Sequence, residues 1–112
     1  MKTPQAVKAL AALAQDTRLS IYRMLVQQGQ EGLSAGTIAE RLDLPGATLS
    51  FHLKELANAG MVDSRQEGRF VFYSASYDQM NGLLGYLTEN CCQGQGCAPE
   101  CLPQSQLKRK RA

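Results

Sequence analysis

The amino-acid sequence predicts a mainly α-helical domain carrying one small β-hairpin, and three observations predict it. Leu33 to Gly60 reads as two short amphipathic helices around a Leu44-Pro45-Gly46 break, with apolar residues at helical spacing on either side of residues that stop a helix. Met61 to Ser74 then changes to aromatic and β-branched residues flanking Gly68, the pattern of a hairpin. Both flanks of this region, Pro4 to Val26 and Tyr77 to Asn90, keep helical period.

Taken in order, Pro4 to Ala14 gives a first helix with Val7, Leu10, Ala11 and Ala14 as its stripe and Leu13 widening it. Asp16 is the expected cap of a second helix whose buried face is Leu19, Tyr22, Leu25 and Val26, ending at Gly29 and Gly32. A third helix starts behind Ser34 as N-cap and buries Leu33, Ile38 and Leu42. The fourth carries Leu49, Leu53, Leu56 and Gly60 on one face, so Ala47, Thr48, Ser50, Phe51, Lys54 and Asn58 look outward. A helix anchored on one side, with small polar groups free on the other and a tight Gly-containing turn before it, suits a DNA-reading helix-turn-helix. A plain helical hairpin is the alternative for that segment alone. The hairpin that follows reads as a wing with Arg65 and Arg69 near its tip. Tyr77 to Asn90 is the last helix, with Met80, Leu83, Leu84 and Leu87 on one stripe and Tyr86 beside it. Gly82 and Gly85 each lower its stability by roughly 1 kcal/mol against Ala, which calls for close packing there. The predicted fold is therefore a winged helix-turn-helix, α-α-α-α-β-β-α. Its first and last helices are spare apolar surfaces for a two-fold dimer.

At 112 residues the chain fits one domain with a thin core. Hydrophobic content of 44% without an apolar run near 18 residues excludes a membrane span. Gln5 and Lys8 interrupt the N-terminal apolar stretch, so it is read as a helix of a cytoplasmic protein rather than a signal peptide. In a reducing compartment the four cysteines are thiols available for metal or redox chemistry. The net charge of +2 is uneven. From Ser34 to Ala75 four bases (Arg41, Lys54, Arg65, Arg69) face five acids (Glu40, Asp43, Glu55, Asp63, Glu67), and the excess sits in Lys108-Arg109-Lys110-Arg111. DNA binding must then rest on placed residues and on doubling by dimerisation.

The residues resemble the ArsR/SmtB family of bacterial metal-responsive repressors. The matches are Leu13-Ala14-Gln15-Asp16-Thr17-Arg18-Leu19-Ser20-Ile21, Thr48-Leu49-Ser50-Phe51-His52-Leu53, Ala59-Gly60-Met61-Val62, and Gly68-Arg69 leading to Phe72-Tyr73. The resemblance implies a homodimer that reads an operator of two half-sites and leaves it when an effector binds. The family's Ser-x-His falls on Ser50 and His52. His52, at the edge of the apolar face, is either a packed histidine or a DNA contact. Phe51 stands where many relatives carry a polar or basic residue; an aromatic there can pack on thymine methyls. The expected DNA-contacting set is Thr48, Ser50, Phe51, His52, Lys54, Arg65 and Arg69.

The sensor departs from the familiar patterns. Where arsenic-responsive members place Cys-x-Cys at the start of the first helix-turn-helix helix, this chain has Ser34 and Gly36. Zinc-responsive members use Asp and His pairs on the last helix, whereas the single histidine here is His52. All four cysteines, Cys91, Cys92, Cys97 and Cys101, sit at the C-terminal end. This resembles the branch that binds arsenite there through a vicinal pair and a later cysteine. Soft thiolates in a pyramidal three-sulfur site suit As(III) or Sb(III), whereas zinc favours four tetrahedral ligands. Gly94 and Gly96 would let the chain return Cys97 or Cys101 as the third ligand. Other soft metals, an organoarsenical or a thiol redox response are the alternatives. A metal-buffering protein without DNA binding is the alternative of another class. An enzyme is not expected, since a cysteine nucleophile would need a base and the sole histidine lies on the reading helix. The expected organisation is a DNA-binding and dimerisation domain over residues 1–90, then a cysteine-rich effector segment with a basic flexible tail over 91–112.

Overall fold

The computed structural model describes residues 1–94. Its elements are α1 (Thr3–Leu13), α2 (Asp16–Gln28), β1 (Leu33–Ser34), α3 (Ala35–Leu42), α4 (Gly46–Asn58), β2 (Val62–Glu67), β3 (Phe70–Ala75) and α5 (Tyr77–Leu87). The architecture is the expected winged helix-turn-helix with one addition. β1 pairs antiparallel with β3, giving a three-stranded sheet in the order β1-β3-β2. Two residues carry no readable period, so the sequence pattern could not announce this strand. Gly32 permits it: its φ is +76°, and a Cβ there would sit 2.3 Å from the Tyr73 carbonyl oxygen.

Local chemistry sets the helix ends. The Ser34 hydroxyl accepts from the Thr37 N–H at 3.2 Å, as its N-cap role requires. Asp43, with φ 53°, closes α3 in the left-handed region that Asp tolerates, and Pro45 stands at the N-cap of α4. Ser76 caps α5 by accepting from Gln79 N–H at 3.3 Å. At α2 the cap is Gln15 and not Asp16. The Gln15 side chain accepts from Arg18 N–H at 2.9 Å, leaving Asp16 as a first-turn acid that complements the helix dipole.

The core is built from Ile21, Leu25, Ile38, Leu49, Leu53, Leu56 and Met61. Two expected faces are corrected. On α1 the buried residues are Ala6, Ala9 and Ala12, while Val7 and Leu10 stay exposed. On α2, Ile21 joins Tyr22 and Leu25 inside, whereas Leu19 and Val26 remain outside. The larger side chains on these helices thus mark a surface, and small alanines let α1 approach the domain closely. Among the described residues, no helix is long and apolar enough to cross a membrane.

Candidate nucleic-acid interface and effector segment

The outward face of α4 is as the spacing implied. Leu49, Leu53 and Leu56 are buried, and Thr48, Ser50, Phe51 and Lys54 are exposed. Burying each leucine contributes about 1.5–3 kcal/mol, which holds the helix in place while its polar side stays exposed. Phe51 is 55% exposed. His52 is half-buried and meets the Phe51 ring edge-on, centroids 5.5 Å apart.

The two wing arginines differ in their surroundings. Arg65 forms an ion pair with Glu67, donates through Nη2 to the Glu31 carbonyl at 2.9 Å, and lies 5.1 Å from the centre of the Phe72 ring. It braces the wing against the loop before β1. Arg69 sits exposed beside Phe70, with no side-chain hydrogen bond or ion pair found among the described residues.

At the other end, α5 touches α4 directly. Gln79 Nε2 donates to the Ala59 carbonyl at 3.1 Å, at the C-cap of α4. A Cβ on Gly60, whose φ is +79°, would come within 3.1 Å of that same Gln79 amide. Tyr77 Oη donates to the Val26 carbonyl at 3.0 Å, and the Thr3 and Tyr86 hydroxyls are hydrogen-bonded between α1 and α5. The expected close packing at the α5 glycines is not found among the described residues. Among these, a Cβ on Gly82 would meet only Met1 Cε at 3.6 Å, and one on Gly85 nothing within 4 Å. Val7, Leu10, Leu84 and Leu87 are the exposed large apolar residues of α1 and α5.

The last helix ends at Leu87, short of the expected Asn90. Asn90, Cys92 and Gln93 all have positive φ, so the short turn over Cys91–Gly94 is not a regular helical continuation. Cys91 and Cys92 are therefore not splayed by the 100° step of an α-helix. Cys91 is disulfide-bonded, whereas Cys92 is a free, exposed thiol. The bond is thus not vicinal. Cys97, Cys101 and the basic run Lys108-Arg109-Lys110-Arg111 lie outside the described residues.

A helix-turn-helix domain model matches residues 13–65. The transcriptional activator HlyU of Vibrio cholerae is 36% identical over 89 residues, covering 80% of each chain. The arsenical resistance operon repressor of Bacillus subtilis is 32% identical over 72% of this chain and 73% of its own. The chain belongs to the ArsR/SmtB family. Among solved structures, an ArsR-like transcriptional regulator from Rhodococcus superposes with a TM-score of 0.71 at 27% identity, covering 81% of this chain and 83% of that one. As an ArsR/SmtB member the chain is a winged helix-turn-helix transcriptional regulator.

Within that family frame, the start of α3 has no sensor chemistry. Ser34 caps the helix and Gly36 has no side chain. Two residues that join the elements escaped sequence reasoning. Arg18 was visible only as part of a family-like run, and Gln79 carried no signal, since a glutamine in a first helical turn is unremarkable without its distant acceptor.

Proposed function

We propose that this ArsR/SmtB regulator is a homodimeric repressor whose apo form binds a two-fold operator and leaves it when As(III) or Sb(III) binds C-terminal thiolates. Cys91 and Cys92 supply two sulfurs, and Cys97 or Cys101 the third. The reading rests on one observation above the rest: the vicinal cysteines follow α5, the helix that carries unpartnered leucines and hydrogen-bonds the end of the recognition helix through Gln79. The Bacillus subtilis relative, an arsenical resistance operon repressor, is in keeping with it. The exposed residues Thr48, Ser50, Phe51 and Lys54 face base edges and backbone, and Arg69 meets a phosphate.

Closing three thiolates around one ion ties the tail to one geometry at the end of α5. Because each recognition helix must enter its major groove at a fixed separation, a modest change at α5 misplaces one half-site against the other. A hundredfold loss of affinity needs only about 2.7 kcal/mol of coupling. Thiolates are required for ligation, so the disulfide at Cys91 must first be reduced. That same bond favours a second reading, in which oxidation and reduction of Cys91 themselves switch the regulator.

Fluorescence polarisation with a duplex from the gene's own upstream region tests both. Reduced protein should bind and then release with arsenite or antimonite, more readily than with zinc or cadmium. Cys91→Ser and Cys92→Ser should bind yet resist arsenite. Release of the double variant at native sensitivity overturns the metalloid reading. A response to oxidant alone, abolished in Cys91→Ser, would instead establish the redox reading, and metal uptake with no specific DNA affinity would make the chain a buffer.

A further inference from the structure

His52 is the single histidine of the chain, and its ring is engaged from outside the recognition helix. Arg18, in the first turn of α2, directs its Nη1 at His52 Nδ1, 3.3 Å away. The same guanidinium donates through Nε to the Ala12 carbonyl at 2.7 Å. Ala12 lies in the last turn of α1, where carbonyls lack intrahelical donors and the helix dipole favours a cation. α1 has no basic residue of its own in that turn, so Arg18 supplies the charge from the next helix. Arg18 also lines a cleft of about 280 Å³ together with Lys8, Ala12, Glu55 and Asn58. One side chain thus joins the end of α1, the start of α2 and the middle of α4.

Hydrogen-bond chemistry fixes the state of the ring. A guanidinium has donors and no acceptor, so Nδ1 must be the acceptor and the neutral ring carries its proton on Nε2. Nε2 has no hydrogen bond among the described residues and is not among the buried unpaired atoms. It is therefore open to solvent. We infer that Arg18 is the positioning residue of the recognition helix: by holding His52 Nδ1, it presents Nε2–H outward as an uncharged donor to an operator phosphate. This rests on the DNA-binding reading of α4. It also makes the placement of that donor depend on α1, a helix with the exposed apolar residues Val7 and Leu10.

The experiment measures the affinity of the full reduced chain for the upstream duplex across a salt series, with a double-mutant cycle. A neutral donor releases no counterion, whereas a cation on a phosphate contributes a slope of about 0.9 in log affinity against log salt. Arg18→Gln and His52→Asn should each lose about tenfold in affinity with the native salt slope, and the double variant should lose no more than either alone. His52→Gln, whose amide N–H reaches toward the Nε2 position, should recover part of the loss. Circular dichroism and sedimentation separate these losses from misfolding or a broken dimer. If Arg18→Gln does not fold, the native chain still decides the matter. Nitrogen-15 spectra of its one imidazole should show the neutral ring's proton on Nε2, not Nδ1, and the Nε2 signal moving when duplex is added. A slope reduced by about one in Arg18→Gln would make Arg18 itself the phosphate contact and overturn the inference. Additive losses, native affinity in His52→Asn, or a protonated Nδ1 overturn it as well. If the native chain binds no duplex, the DNA reading fails with it, whereas native binding with unaffected variants sinks the positioning role alone.

Discussion

α4 and α5 have similar apolar patterns and opposite fates. In α4 the three leucines on one face, Leu49, Leu53 and Leu56, all go into the core. In α5 only Leu83 does so, while Leu84 is 48% and Leu87 54% exposed. A leucine stripe at helical spacing says that a helix has an apolar face, not which molecule covers it. The protomer uses its recognition helix as an internal element with one free polar side. It uses α5 as a half-finished surface, rooted by Leu83, Tyr77 and Gln79 and continued in the proposed dimer by a second copy.

The largest effect expected breaks the α4 side. Leu53→Ala removes a side chain that is 2% exposed and should cost about 2–5 kcal/mol of unfolding free energy, read by urea denaturation. A change below about 1 kcal/mol would mean that the core is not organised as described. On the α5 side, Leu87→Glu should leave the fold of the protomer intact and raise the dimer dissociation constant by about a hundredfold or more, equivalent to about 2.7 kcal/mol. Sedimentation over a concentration series reads this. An unaltered dimer would place the interface away from α5.

How much of this was legible follows from the same contrast. The helix-turn-helix was readable because its signals are local: a Ser34 cap, a Pro-Gly break, and leucines whose covering partner lies in the same protomer. The apolar pattern puts the α1 face in the wrong phase and gets the α2 face half right, with Tyr22 and Leu25 inside but Leu19 and Val26 outside, because bulky side chains outweigh alanines in such a pattern, yet Ala6, Ala9 and Ala12 are what the core accepts. Strand β1 and the contacts of Arg18 and Gln79 depend on residues far apart in sequence, 34 positions between Arg18 and His52, and no local pattern encodes them. Of the candidate site, the α4 face was legible. The different surroundings of Arg65 and Arg69 were not, because two arginines beside a hairpin turn look alike until Glu67, Glu31 and Phe72 are seen around one of them.

That pair of arginines repeats the contrast on a smaller scale, one paired within the chain and one exposed with no side-chain partner among the described residues. Arg69→Ala should weaken operator binding by about tenfold at moderate salt and reduce the salt slope by about 0.9. Arg65→Ala should lower thermal stability while leaving the slope nearly native, since its charge is already matched by Glu67. Equal slope changes in the two variants would mean that the Arg65–Glu67 pair opens on DNA.

The smallest effect lies at the seam between α2 and α5. The Tyr22 hydroxyl is buried with no hydrogen-bond partner among the described residues. Burial, and secondarily the neighbouring Tyr77, push its phenol above the ordinary value. Below about pH 10, the ordinary tyrosine value, both folded and unfolded chains keep the proton and this group adds no pH dependence. Above it, the unfolded chain releases the proton first. The folded state then binds more protons, and stability falls as pH rises. Tyr22→Phe removes the unpaired hydroxyl, so it should raise unfolding free energy by about 1 kcal/mol at neutral pH and flatten the alkaline decline. Thermal melts from neutral pH to about pH 11, with the other tyrosines as a common background, check both signs. A Phe variant less stable than the native chain, with the alkaline slope unchanged, would show that the hydroxyl has a partner in the assembled protein and that the α5 seam is completed by the second copy at Tyr22 as well as at its leucines.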